Sequence, residues 1–176
     1  MDKKVARLFD HLSDDFIELL ARLDGMNHEL LEKSPAPGKW SATQVMYHLN
    51  SAESLSVKYV AKKRLAAPQL KRTGLVAWLR LMAARISFYV PIKYRAPKFL
   101  GAMPEHVAYS DIKETWLQTR HELAALLESL KEYEIRKPIF LQPFFGRLNI
   151  YQMLGFMQTH FNRHRKQMMK AIKALK

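Results

Sequence analysis

His160 and His164 stand four residues apart in the stretch THFNRHRKQ, Thr159 to Gln167, of a chain that has seven histidines and no cysteine. On a helix, residues at this spacing project from one side, so two imidazoles can grip a single ion. A third, His48, falls inside the apolar stripe of another helical segment and could complete a facial set of three. His11 and His121 fall on polar faces, and His28 and His106 fall near helix ends or in loops. The residues alone leave two readings open: a divalent-metal centre, or three core imidazoles hydrogen-bonded to their neighbours. Half-buried imidazoles with few evident partners are costly unless something satisfies them. The lack of cysteine removes both thiolate ligands and a cysteine nucleophile. An ion on three neutral imidazoles keeps its positive charge, so it could acidify a water or activate a substrate thiol or carbonyl oxygen.

Few other residues near these histidines could take part. Glu53 is the one acid on either histidine-bearing helix, and by helical periodicity it lies about 140° around from His48. It is expected to form an ion pair or support a ligand rather than to act as general base. Gln167 follows His164 by one turn; it could hydrogen-bond a water at the ion or, equally, present a solvent-facing amide. Arg120 sits between Trp116 and Leu123 on an inward stripe, where an unpaired guanidinium would be costly. A neighbouring acid is its expected partner, and a substrate anion is the alternative.

Four principal helices must position these groups. The first is expected from Asp2 to Glu32, with Val5, Leu8, Leu12, Phe16, Leu19 and Leu23 on one stripe. Pro35, Pro37 and Gly38 break it. The second starts at Ser41, where Gln44 three residues on forms a capping box and Trp40 can staple onto Val45, and it ends before Pro68. Its stripe reads Val45, His48, Leu49, Ala52, Leu55 and Tyr59. The third begins with Ser110 as N-cap and runs to about Lys131, with Ile112, Trp116, Leu123, Leu127 and Leu130 inward. The fourth is capped by Asn149 and carries Ile150, Met153, Leu154, Met157, His160, Phe161, His164, Met168 and Ile172. Short apolar pieces such as PIFLQPFF could be extended. The architecture expected is therefore all-α: a single domain over residues 1–176 built as an antiparallel four-helix bundle, with a long crossover inserted at about 68–109 between the second and third helices. Inside that insertion, Leu75 to Val90 marks a short extra helix, too short and too charged, with Arg80 and Arg85, for a membrane span.

The net charge of +13 is uneven: no acid lies between Glu53 and Glu105, and none follows Glu134. The insertion interleaves cations with Trp78, Phe88, Tyr89 and Tyr94, so nucleic-acid binding is one competing use of the charge. No recognised nucleic-acid motif accompanies it. A second competing use is an amphipathic Leu75–Val90 segment resting on an anionic membrane, although packing onto the bundle or into a homodimer interface is favoured. The remaining use is attraction of a small anionic substrate, with Lys62, Lys63 and Arg64 contributing. The N-terminus shows no secretory pattern, and the chain reads as cytoplasmic.

GKWSATQVMYHLNSAE, Gly38 to Glu53, and PFFGRLNIYQMLGFMQTHFNRHRKQM, Pro143 to Met168, together resemble the DinB superfamily, including its branch of YfiT-type proteins described as metal hydrolases. The resemblance implies a four-helix bundle that holds a divalent metal, often nickel or zinc, on three histidines. Carried over by position, these are His48, His160 and His164. The family includes enzymes that move a low-molecular-weight thiol such as bacillithiol or mycothiol onto acceptors, as well as members known only as hydrolases or as DNA-damage-inducible proteins. The resemblance therefore leads to the expectation of a metal-dependent thiol transferase or hydrolase, with a non-catalytic basic protein that binds nucleic acid or an anionic membrane surface as the alternative. Such a thiol would supply the nucleophile this chain lacks. Where many relatives have His-Pro ahead of the Phe-Gly-Arg-Leu run, this chain has Gln142-Pro143.

Overall fold

The structure is a computed structural model that describes residues 1–70, 102–143 and 146–176. Four long helices make an all-α bundle: α1 Lys3–Asp24, α3 Ala42–Lys63, α4 Tyr109–Ser129 and α6 Ile150–Lys173. Short helices α2, His28–Glu32, and α5, Glu132–Ile135, sit in the connections, and a two-stranded hairpin precedes α6. The extra helix expected at Leu75–Val90, with Trp78 and most of the basic insertion, lies outside the described residues. No helix among the described residues is long and apolar enough to cross a membrane.

Each helix starts where a side chain can take up free amide groups. The Asp2 carboxylate accepts from the amides of Lys4 and Val5 at 3.0 Å each, opening α1. The expected stripe is inward, with Val5, Leu12, Phe16, Leu19 and Leu23 buried. The first helix ends at Asp24, however, rather than Glu32. Gly25 stands at the C-cap, and Asn27 caps a separate helix by accepting from Glu29 N at 2.9 Å. Glycine loses the most backbone entropy in a helix and asparagine bonds its own nearby amides, so this pair divides the segment despite continuous apolar spacing.

Ser41 and Gln44 form the expected reciprocal capping box of α3. Gln44 Nε2 also donates to the carbonyl of Pro104 at 2.7 Å, fastening the returning chain to the start of the helix. The buried face of α3 is wider than a single stripe: Met46, Asn50, Glu53, Val57 and Val60 are buried, while Leu55 is exposed. The cause is that α4 and α6 both pack against α3, so two faces are covered. Beyond α3, Arg64–Gln69 forms a 3-10 segment through Pro68. Arg64 does not join the surface cations. Its Nε and Nη2 donate to buried Glu134 at 3.1 and 2.9 Å, and its Nη1 donates to Ser129 Oγ at 2.6 Å.

The start of α4 departs from expectation. Ala108 occupies the cap position, Ser110 lies inside the helix, and its hydroxyl donates to Asp111 Oδ1 at 2.8 Å. The amide of Tyr109 instead donates to Glu32 Oε1 at 2.8 Å, so a carboxylate from α2 serves this helix end from 77 residues away. The inward residues of α4 are those expected, with Trp116, Leu123 and Leu127 fully buried. The PIFLQPFF stretch is partly extended: β1, Phe140–Gln142, pairs antiparallel with β2, Gly146–Leu148, in the register Phe140 to Leu148. Gly146, at φ 80°, takes a conformation that other residues reach only at a cost. Asn149 then caps α6, and Gln152 completes a second capping box.

Candidate metal centre

His48 rides the second turn of α3, and His160 and His164 ride successive turns of α6, so the packing of these two helices brings the three rings together. Ring centroids lie 5.3 Å apart for His48 and His160, 4.7 Å for His48 and His164, and 4.5 Å for His160 and His164. One ring nitrogen from each of the three can be chosen so that all lie within 4.8 Å of one another. Donors about 2 Å from a zinc-sized ion in tetrahedral array stand roughly 3.3 Å apart, so modest ring rotation suffices to close the set. Among the described residues no carboxylate belongs to this group.

The electrostatics suit an ion. Burial lowers the pKa of His48. Burial and then repulsion from His164, His48 and Arg163 hold His160 well below the usual imidazole value. Burial, and next the charge of His48, push His164 down to about 3, against an opposing hydrogen bond from Gln167. All three rings are thus neutral near pH 7 and keep an unprotonated nitrogen, the form in which histidine binds metal.

The surroundings fix these rings. Gln167 Oε1 lies 2.9 Å from His164 Nδ1. With the amide oxygen accepting there, Nδ1 carries the hydrogen and Nε2 presents the lone pair. Gln167 therefore bears on the ring itself. Phe156, one turn before His160, stacks on it at 5.6 Å with 13° between planes, and the Trp40 ring lies 5.3 Å from His48. Both contacts escaped the sequence reading. The Phe156–His160 spacing of i and i+4 was a usable signal, whereas Trp40 reaches His48 across a helix start.

Glu53 and Arg120 meet each other rather than the histidines. Both are buried, with Arg120 Nε 3.0 Å from Glu53 Oε1 and 3.1 Å from Oε2. Trp116 Nε1 also donates to Glu53 Oε2 at 2.6 Å, a partner not identified from sequence. Arg120 Nη1 donates to the carbonyl of Leu12 at 3.3 Å, and its guanidinium lies 4.5 Å from the Phe16 ring centroid. Helices α1, α3 and α4 are therefore joined by one buried polar knot. Gln142 is buried at the end of β1 and pairs with Gly146.

Comparison with known proteins agrees with this architecture. The sequence model of the DinB superfamily matches residues 11–168. Uncharacterized protein YuaE of Bacillus subtilis (strain 168) is 26% identical over 152 residues, covering 86% of this chain and 89% of that protein. No solved structure matches the chain.

Proposed function

Since the chain belongs to the DinB superfamily, we propose that it binds one divalent ion, nickel or zinc, through His48, His160 and His164 and catalyses a metal-dependent reaction on a small substrate. The observation that carries this reading is the set of three imidazoles, each with one ring nitrogen within 4.8 Å of those of the other two. Its donor chemistry fits the group: nitrogen-only sets suit nickel and zinc, and three protein ligands leave positions for substrate. An ion held there supplies Lewis acidity toward a thiol, a carbonyl oxygen or a water.

The chain's own residues bind and orient. Gln167 sets the tautomer of His164, Phe156 and Trp40 fix the other two rings, and the Glu53–Arg120–Trp116 knot holds α3 and α4 in place. Glu53 is committed to that knot on both oxygens and is not offered as a base. The chain has no cysteine, and among the described residues no carboxylate joins the histidine group; in this reading water or a thiol co-substrate supplies the nucleophile. Transfer of a low-molecular-weight thiol to a small acceptor, or hydrolysis of a small ester or amide, are the two reactions that the family resemblance suggests for such a site. The basic surface favours a substrate whose outer part is anionic.

The test is a two-part screen of nickel- and zinc-loaded protein, with low-molecular-weight thiols plus electrophilic acceptors in one part and small esters and amides in the other. Turnover that disappears on chelation and in His160→Ala is the expected result. A protein that retains its ion yet turns over nothing in either part refutes the enzymatic reading.

A further inference from the structure

His160 has a neighbour on each side. On one side it belongs to the histidine cluster; on the other it lines a small recess to which all four long helices contribute, through Leu12, Ala52, Trp116 and Met157 among others. The recess has about 30 Å³ of room, enough for a water and too little for an organic group. Its polar lining is Glu53, Ser56, Arg120 and His160.

These four groups have hydrogen-bonding capacity left over. Among the described residues, Glu53 Oε1 meets only Arg120 Nε, at 3.0 Å, while Oε2 takes Trp116 and a share of the same Nε. A carboxylate oxygen can accept twice, so Oε1 has a place free. Arg120 uses Nε on Glu53 and Nη1 on the carbonyl of Leu12, and Nη2 donates to none of the described residues. Ser56 Oγ gives its hydrogen to the carbonyl of Ala52 at 2.7 Å and keeps its lone pairs. Neither ring nitrogen of His160 has a hydrogen-bond partner among the described residues. A histidine that ligates a metal almost always donates its second N–H to a carboxylate, a carbonyl or a water.

The lining also decides what fits. Recesses that stay dry are apolar, which this one is not. A cation in it would face the Arg120 guanidinium and an anion the Glu53 carboxylate, whereas a neutral water meets neither penalty. One water can accept from Arg120 Nη2 and from the His160 N–H, and donate to Glu53 Oε1 and Ser56 Oγ, so its own capacity is filled as well.

We infer that one ordered water occupies this recess and joins the ring nitrogen of His160 that faces away from the cluster to the Glu53–Arg120 pair. Glu53 and Arg120 are then positioning residues: they set the orientation and tautomer of His160 through the water. Their bearing on an ion rests on the metal-centre reading; the water bridge itself does not.

The experiment uses full-length protein carrying 15N-histidine and 13C-methyl methionine, metal-free and zinc-loaded. Magnetisation transfer from water is read at the Met157 methyl, assigned with Met157→Leu, and at the His160 ring N–H, assigned with His160→Ala. Transfer with the sign of a bound rather than a passing water is expected at both sites in both forms. Ser56→Val, which removes an acceptor and adds a methyl group to the recess, is expected to abolish that transfer and to weaken zinc by about tenfold in chelator competition. The double variant Glu53→Gln with Arg120→Met is expected to do the same and to change the His160 tautomer pattern in the 15N spectrum, which a purely structural role of the pair would leave unmoved. The transfer measurement on unmodified protein decides on the water even if neither variant folds. No bound-water transfer in unmodified protein, or folded variants that keep full zinc affinity and the original His160 tautomer, overturns the proposal. A chain that shows the water but takes up no zinc refutes the metal-centre reading and leaves the bridge standing; zinc bound without the water refutes the bridge alone.

Discussion

Replacing Glu53 by glutamine keeps the shape of the side chain and an acceptor for Trp116, but removes the negative charge that faces Arg120. Glu53 and Arg120 are 6% and 7% exposed, so the guanidinium would be left in the core with only the Leu12 carbonyl, a glutamine oxygen and aromatic faces around it. Breaking a buried pair in this way costs about 3–5 kcal/mol. For a chain of this size that corresponds to a fall in Tm of roughly 10 °C. Arg120→Met should cost a similar amount by stranding the carboxylate. The double variant Glu53→Gln with Arg120→Met leaves no buried charge and keeps the Trp116 acceptor, so it should lie within about 1–2 kcal/mol of the unmodified protein. Urea denaturation of all four proteins, metal-free and at one pH, gives the coupling energy directly. A coupling of about 3 kcal/mol or more is expected. Two single variants that each cost under about 1 kcal/mol and add up in the double would refute the claim that this knot is a charge pair held out of water.

Two further predictions concern the histidines. The folded pKa of His164, about 3, is below its unfolded value, so the unfolded chain binds the proton first as pH falls. The stability linked to this group is full above about pH 6.5 and is lost on acidification toward the folded value. For His164 alone the loss between pH 8 and pH 5 is on the order of 2 kcal/mol in metal-free protein, and the lowered values of His48 and His160 act in the same direction. Urea midpoints that stay constant over that interval would contradict it. Gln167→Leu removes the acceptor that fixes the His164 tautomer, and it should weaken metal binding by about 10–100-fold at little cost in stability, as read by chelator competition. Unchanged affinity would mean that the ring is oriented by something other than Gln167.

Much of this arrangement could be read in the sequence because it is local. The apolar stripes of α1, α4 and α6 obey helical spacing, and Ser41 with Gln44 and Asn149 announce two helix starts within a few residues. The i and i+4 spacing of His160 and His164 fixes their common side, and the buried position of His48 follows from its place between Val45 and Leu49. What escaped was set by contacts distant in sequence or by competition within a pattern. Glu32 serves the start of α4 from another helix, so Ser110 looked like the cap and is not. Gly25 and Asn27 outweigh the apolar periodicity that seemed to carry α1 on to Glu32. The second buried face of α3 depends on two helices covering it, which no stripe within α3 reveals. The pairing of Glu53 with Arg120 was expected in kind for each residue, but the Trp116 bond that completes it needed the fold.

The central claim is most directly tested by elemental analysis of untagged protein purified after exposure to nickel or zinc, beside His48→Ala, His160→Ala and His164→Ala prepared in the same way. One ion per chain in the unmodified protein, falling well below that in each of the three folded variants, is the result predicted. An unmodified protein that retains no ion, or variants that each retain a full equivalent, would contradict it.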